Sequence, residues 1–337
     1  MKKIKILLGD PRHYTVGVHT NHVPIGIGYI GSNLIKQFEN KEYKIELKLE
    51  TDTTKIFSLL KKWKPDIVGI SNYIWNSDLS YLICSQAKKT NPNSLCILGG
   101  PEFPAGTGAT KIENTVQDKT YDKCLDYLIK RPSVDYFAYS DGEVVFLEIV
   151  KKFIENDLSV KSLKSNNEPI KGCASVSRNK HSLLVGSYIP RIGMDGSVKS
   201  EGRDIIPSPY TIGLLDKFLD GRFIPAFETA RGCPFTCTFC DQGIDTTKMV
   251  SFSTRRMCEE LDYVAERVTK FSGTKAIAIH DSNWGMYKKD IDLSDHILKL
   301  INEKNWPISI EISTPKNKRQ QILDIDRKLK NRVGVNL

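Results

Sequence analysis

No run of about 18 apolar residues occurs anywhere in this 337-residue chain, which excludes an ordinary membrane-spanning helix. No export leader is expected either. Two lysines precede an apolar stretch in MKKIKILLGD, but that stretch ends at Asp10 and is too short for the apolar part of a signal peptide. A buried strand explains it better, and the expected location is the cytoplasm. Basic residues outnumber acidic ones, 49 to 40, yet no aromatic-interleaved basic motif accompanies them. Much of the excess sits between Lys316 and Arg332, in KNKRQQILDIDRKLKNR. This reads as a solvated helix face, with an anionic substrate or nucleic acid as the alternative contact. Neither a membrane nor a nucleic acid is an expected partner.

Cysteine is thin outside one place. Five of the eight are scattered: Cys84, Cys96, Cys124, Cys173 and Cys258. In a chain without an export signal, such residues are mostly small buried side chains. The other three are clustered.

The length allows two domains. Over residues 1–156 strand and helix patterns alternate. The strands are Ile4–Gly9, Tyr43–Leu49, Asp66–Asn72, Ser94–Gly99 and Val134–Ser140. Several are nearly continuous apolar runs, as parallel strands covered on both faces require. Helical patterns cover Gly26–Glu39, Thr53–Trp63, Asp78–Lys89, Asp118–Ile129 and Glu143–Glu155. This predicts a doubly wound α/β domain with a five-stranded parallel sheet. Ligand loops of such a domain follow the strand carboxyl ends: GDPRHYTVGVHTNHVPIGIGYIG, SNYIWNSD, GGPEFPAG and YSDGE. Gly99-Gly100-Pro101 either admits a flat ligand close to the backbone or simply makes a tight turn.

Residues 157–222 form an irregular region. GCASVSRNKHSLLVG reads as a hairpin, and Pro207-Ser208-Pro209-Tyr210 as a rigid linker. From residue 223 the alternation returns. PAFETA is a strand, Thr254–Thr269 a helix, Lys275–Asp281 a strand, Ile291–Glu303 a helix, Ile308–Ser313 a strand and Lys318–Leu329 a helix. Val333 begins one more strand. Residues 223–337 thus predict part of a barrel.

The clustered cysteines stand in Arg231-Gly232-Cys233-Pro234-Phe235-Thr236-Cys237-Thr238-Phe239-Cys240, at a strand's carboxyl end. Three thiolates can hold three irons of a cubane cluster and leave the fourth iron open. A structural zinc site normally closes with four protein ligands, and no fourth Cys or His stands nearby; His280 is the nearest candidate.

Cys-x3-Cys-x2-Cys after a strand resembles the signature of radical S-adenosylmethionine (SAM) enzymes. The resemblance implies a 4Fe-4S cluster on Cys233, Cys237 and Cys240, SAM chelated to the open iron, and Phe239 near the adenine. Ile279-His280-Asp281-Ser282-Asn283-Trp284-Gly285 lies where the family positions groups for the SAM amino group. It resembles the D-x-N-F-G form of cobalamin-linked members, which makes Asp281 and Asn283 SAM-contact candidates. Glu311 and Ser313, at the end of the next strand, are candidates for SAM or substrate.

The first domain resembles the cobalamin-binding domain of the cobalamin-dependent radical SAM subfamily, through PIGIGYIGSNL, PDIVGISNYIWN, ILGGPEFPA and VDYFAYSDGE. The resemblance implies cobalamin contacts at Gly26, Ser71, Asn72, Gly99, Gly100, Pro101, Gly142 and Glu143. Tyr73 and Trp75 are placed to cover the corrin. The Asp-x-His-x-x-Gly motif of cobalt-ligating domains is absent: the loop reads Asp-x-x-His-x-x-x-Gly from Asp10 to Gly17. His13 is therefore not expected to ligate cobalt, and His19 and His22 read as ordinary polar loop residues.

The implied function is methylation of an unactivated carbon in a small-molecule or biosynthetic-intermediate substrate. The implied electron donor is a flavodoxin or ferredoxin, and no catalytic residue is assigned. Two alternatives stand beside it. One is a chain truncated within the radical SAM core, catalytically weak or inactive while still binding cobalamin or the cluster. The other is a methylthiotransferase, which would need three further cysteines converging in the first domain. Cys84, Cys96 and Cys124 fall in a helix, a strand and a helix, against that reading.

Overall fold

The computed structural model describes residues 2–13, 21–39, 42–105, 119–193, 202–235, 237–238, 249–273, 275–315 and 317–334. The chain divides into two compact units. One comprises residues 1–18 and 29–191, the other residues 19–28 and 192–337.

The first unit is built on a seven-stranded sheet. Its strands are β1 (Lys2–Gly9), β2 (Tyr43–Glu50), β3 (Ile67–Ser71), β4 (Leu95–Gly99), β5 (Tyr136–Ala138), β6 (Cys173–Val176) and β7 (Leu183–Val185). They lie in the order β2-β1-β3-β4-β5-β6-β7. The first five are parallel, as the apolar runs predict. The expectation of five strands is corrected. The hairpin at residues 172–186 does not stand apart but joins the same sheet, β6 pairing antiparallel with β5 and β7 with β6.

Central strands are buried on both faces: in β3, Ile67, Val68 and Gly69 are all covered. Edge strand β2 instead alternates charged and apolar residues, and Lys44, Glu46 and Lys48 discourage pairing with another edge. Helices cover both faces. On one face Ile56 and Leu60 of α2 (Thr53–Lys62), Ile83 and Cys84 of α3 (Ser77–Thr90) and Cys124 and Leu128 of α4 (Lys119–Ile129) meet Leu7, Val68, Ile70 and Leu98. On the other, α5 (Gly142–Glu155) sets Phe146 against Gly69, where a Cβ would lie 2.4 Å from the ring. A side chain there would push α5 off the sheet. Helix α1 (Ile25–Gln37) reaches α5 through Asn33, whose Nδ2 donates to Glu143 O at 2.8 Å. A short helix α6 (Val160–Leu163) follows.

The second unit centres on four parallel strands in the order β13-β12-β11-β8: β8 (Ala226–Phe227), β11 (Ala276–Ile279), β12 (Ser309–Ile312) and β13 (Val333–Gly334). Helices α7 (Thr254–Val268), α8 (Lys288–Lys304) and α9 (Arg319–Lys328) connect them. PAFETA, expected as one strand, is two short ones. After Phe227 the chain leaves the sheet, and β9 (Ala230–Arg231) pairs antiparallel with β10 (Val250–Ser251).

The two faces of this sheet differ in chemistry. Ile277, Ile279 and Ile310 are buried on one. Alternation places Ala226, Ala278 and Glu311 at one level of the opposite face, with His280 and Ser313 one step nearer the carboxyl ends. Small and polar side chains therefore line the face beside the cysteine loop. Among the described residues no helix is long and apolar enough to cross a membrane.

Candidate functional site

The cysteine loop starts where β8 ends, and four neighbouring side chains fix its entry. Asp281, just past β11, is 4% exposed. Its Oδ1 accepts from the Thr229 backbone N–H at 2.6 Å, and its second oxygen from the Thr229 hydroxyl. The Lys289 ammonium donates to Thr229 O at 2.9 Å. One turn on, Arg231 forms a two-pronged ion pair with Glu228, at 2.7 and 2.8 Å. Such paired planar groups hold geometry better than a single contact. The backbone from Glu228 to Arg231, which aims Cys233, is thus braced on both sides.

Cys233 and Cys237 are both half-buried. Asn283 is buried, and its Nδ2 donates to Cys233 Sγ at 3.1 Å. The Tyr287 hydroxyl is buried close by, without a hydrogen-bond partner among the described residues. Burial first, then the neighbouring Cys233, pushes that phenol up to about 12, so it stays protonated and able to donate. A half-buried thiol with an amide donor on its sulfur is chemistry suited to an iron–sulfur ligand, whose charge hydrogen bonds stabilise. Phe239 and Cys240 lie outside the described residues, and among those described no three His, Cys, Asp or Glu side chains meet at metal-ligand spacing.

Asp281 also sets a pH dependence. Burial raises its carboxyl to about 7, against the pull of Lys289 and of the hydrogen bonds from Thr229 and Ala230. Between its ordinary value and that one, the folded protein holds a proton that the unfolded chain releases. This group's contribution to stability is therefore complete below about pH 4 and is lost as pH rises to about 7. In urea unfolding, the midpoint is expected to fall between about pH 5 and 7.5, and to fall less in Asp281→Asn. An equal slope in both proteins contradicts this.

The structure sends the expected SAM contacts in different directions. Asp281 and Asn283 are turned to Thr229 and Cys233. Glu311 is half-exposed on the small-residue face, and Ser313 is exposed one step beyond. Glu311 Oε2 lies 3.1 Å from His22 Nε2, and His22 Nδ1 lies 3.2 Å from His280 Nε2. His22, read from the sequence as an ordinary loop residue, is carried there by a parallel bridge to Ile224. Nothing local in the sequence announces that pairing.

In the first unit, Ser71, Asn72, Gly99, Gly100 and Pro101 come together at the carboxyl ends of β3 and β4. The Asn72 backbone N–H donates to Gly99 O at 2.7 Å, and its side-chain amide donates to Glu102 O and the Tyr127 hydroxyl, both at 2.9 Å. Asn72 Oδ1 is buried and finds no partner among the described residues. Gly100 sits at φ +136°, and a Cβ there would lie 2.5 Å from Asn72 O, so only glycine closes this turn. The Ser71 hydroxyl donates to Asp10 at 2.6 Å, a partner that motif spacing did not single out. Beyond this turn Tyr73 and Trp75 stack, with rings 4.6 Å apart and 9° from parallel, while Ile74 and Trp75 stand 77% and 63% exposed. An exposed aromatic plate above a glycine-closed turn fits a broad flat ligand.

Gly142 and Glu143 belong to packing: a Cβ on Gly142 would lie 2.8 Å from Ile30, and Glu143 is buried under α1. Gly26 falls in the second unit, with open space around its Cα. Cys84, Cys96 and Cys124 are fully buried in one apolar core, and burial lifts the Cys124 thiol to about 11. Such thiols pack and do not ligate metal.

No family model matches the chain. It is 24% identical over 273 residues to the cobalamin-dependent radical SAM methyltransferase TokK of Streptomyces tokunonensis, covering 78% of this chain and 34% of that protein. Against a 2-(S-pantetheinyl)-carbapenam-3-carboxylate methyltransferase of Streptantibioticus cattleyicolor it is 23% identical over 270 residues, with the same coverage. Against an uncharacterised methyltransferase of Pyrococcus horikoshii it is 28% identical over 323 residues, covering 93% of this chain and 61% of that one. The chain therefore spans about a third of the length of the first two relatives. In structure it resembles the cobalamin-dependent SAM radical enzyme OxsB, solved with aqua-cobalamin and SAM, at a TM-score of 0.61 and 16% identity, over 99% of this chain and 44% of that one. Over most of its length, the chain is similar to proteins named as methyltransferases, one of them as a cobalamin-dependent radical SAM methyltransferase.

Proposed function

We propose that this chain forms the cofactor-binding part of a cobalamin-dependent radical SAM methyltransferase, acting on an unactivated carbon of a small-molecule substrate. One observation carries the reading most: the Cys233 loop leaves a strand's carboxyl end beside a face of small and polar residues, with Asn283 on the Cys233 sulfur. The relatives' names point the same way.

Cys233, Cys237 and Cys240 would hold a 4Fe-4S cluster. Ser71, Asn72, Gly99, Gly100 and Pro101, with Tyr73 and Trp75 above them, would hold cobalamin. When bound, these groups would supply reductive cleavage of SAM and delivery of a methyl group. The electron would come from a flavodoxin- or ferredoxin-type donor. The chain's own residues do the rest. Asp281 and Lys289 hold the strand that aims the cysteines. Asn283, donating to the Cys233 sulfur, stabilises negative charge there. Ala226 and Ala278 leave room, and Glu311, His22 and His280 offer polar contacts for SAM or substrate. Gly100 lets the backbone approach the corrin. Phe239 is proposed as the adenine neighbour.

The test is anaerobic reconstitution with iron, sulfide and hydroxocobalamin. Corrin absorbance of about one equivalent per chain should survive desalting, and Trp75→Ala should retain clearly less. Loss of all corrin absorbance from the unaltered chain would sink the cobalamin part of the proposal.

A further inference from the structure

The carboxyl ends of the first unit's strands are taken by the site above. A cavity of about 270 Å³ lies at the opposite end of the same sheet, between α4, α6 and the β6–β7 turn. Its floor is apolar: Leu128 and Val134 are buried, and Val176 is half-buried. Its charged lining is of one sign. Lys161 comes from α6, Lys164 from its carboxyl end, and Arg178 and Lys180 from the β6–β7 turn; among the described residues no acidic side chain lines it.

The balance beneath the cavity makes these cations notable. Asp135 is 5% exposed and already engaged. It accepts from the Cys96 backbone N–H at 2.8 Å and pairs with Lys88 at 2.6 Å. Lys164 reaches the same carboxylate only at 4.0 Å. Two lysines thus share one buried carboxylate that is closer to the other. Lys164 is 27% exposed, so it loses much of its hydration without gaining a close counter-ion. Burial, together with Lys88 and Lys180, holds its ammonium below the usual lysine range. An anion seated between Lys164, Lys161, Arg178 and Lys180 would offset that deficit. At ~30 Å³ per water the cavity has the volume of about nine waters, more than one phosphate group needs. The apolar floor accounts for the remainder.

We infer that this cavity binds a phosphate monoester carrying a short apolar stem, the phosphate among the four cations and the stem on Leu128, Val134 and Val176. A dianion suits a cavity lined by four cations better than a singly charged carboxylate. The site is independent of the cysteine loop and the glycine-closed turn. It does not rest on the proposed methyltransferase function.

Isothermal titration calorimetry with hexyl phosphate on the 337-residue chain tests it. Saturable binding of one equivalent is expected, weakening as salt rises. Inorganic phosphate should bind roughly tenfold more weakly for want of the stem. Lys164→Met and, separately, Arg178→Glu should each weaken hexyl phosphate by roughly tenfold or more, with unchanged circular dichroism. Arg178 is exposed, so its variant tests the site even if Lys164→Met perturbs packing. Three results would overturn the inference: no saturable heat up to about 10 mM hexyl phosphate, equal affinity for inorganic phosphate, or unchanged affinity in Arg178→Glu.

Discussion

Cys233→Ala is expected to drop reconstituted iron from about four per chain to near zero while leaving the fold intact. Cys233 is half-buried on a loop, and its sulfur meets one amide donor. Removing that sulfur costs little packing, and the stability change should stay under about 1 kcal/mol. Cys173→Ala makes the opposite prediction. Cys173 is 1% exposed in β6, next to β5, and burial, with the charge of Glu148 second, pushes its thiol up. Its loss should cost about 1 kcal/mol and leave iron uptake untouched. Iron counting and urea unfolding on the two variants separate ligand from core. Equal iron loss in both would mean that uptake reports general folding rather than a site.

Asp281→Ala carries the second large effect, on stability. The substitution removes the acceptor of two hydrogen bonds from Thr229 and strips the half-buried Lys289 of its nearby carboxylate. Leaving the two Thr229 donors unpaired in a buried site costs about 1–3 kcal/mol each. Asp281→Asn, which keeps one acceptor oxygen and the volume, should lose less. Thr229 enters the loop that carries Cys233, so Asp281→Ala should also lower iron uptake under conditions where the protein is still folded. A loss below about 1 kcal/mol in urea unfolding would show that the loop is anchored elsewhere.

These variants also mark what a reader of the sequence can and cannot see. Ile4–Gly9 or Asp66–Asn72 announce buried parallel strands because an unbroken apolar run has few other uses. The cysteine spacing is equally local. The edge of the first sheet was not legible. Cys173–Val176 is short, and nothing in it says that its partner is Tyr136–Ala138 rather than solvent. Likewise the family resemblance makes Asp281 a candidate ligand contact. Only the fold reveals that Thr229, 52 positions earlier, occupies it. His22 is hidden for the same reason, since its link to Glu311 spans 289 positions. Side chains that serve a site through distant partners leave no periodic trace.

The most direct measurement is electron paramagnetic resonance of the anaerobically reconstituted, dithionite-reduced chain with and without SAM. About four irons per chain and a reduced-cluster signal that changes on adding SAM are predicted, because three cysteines leave one iron open to that ligand. Zinc uptake without iron, or a cluster signal indifferent to SAM, would contradict the account.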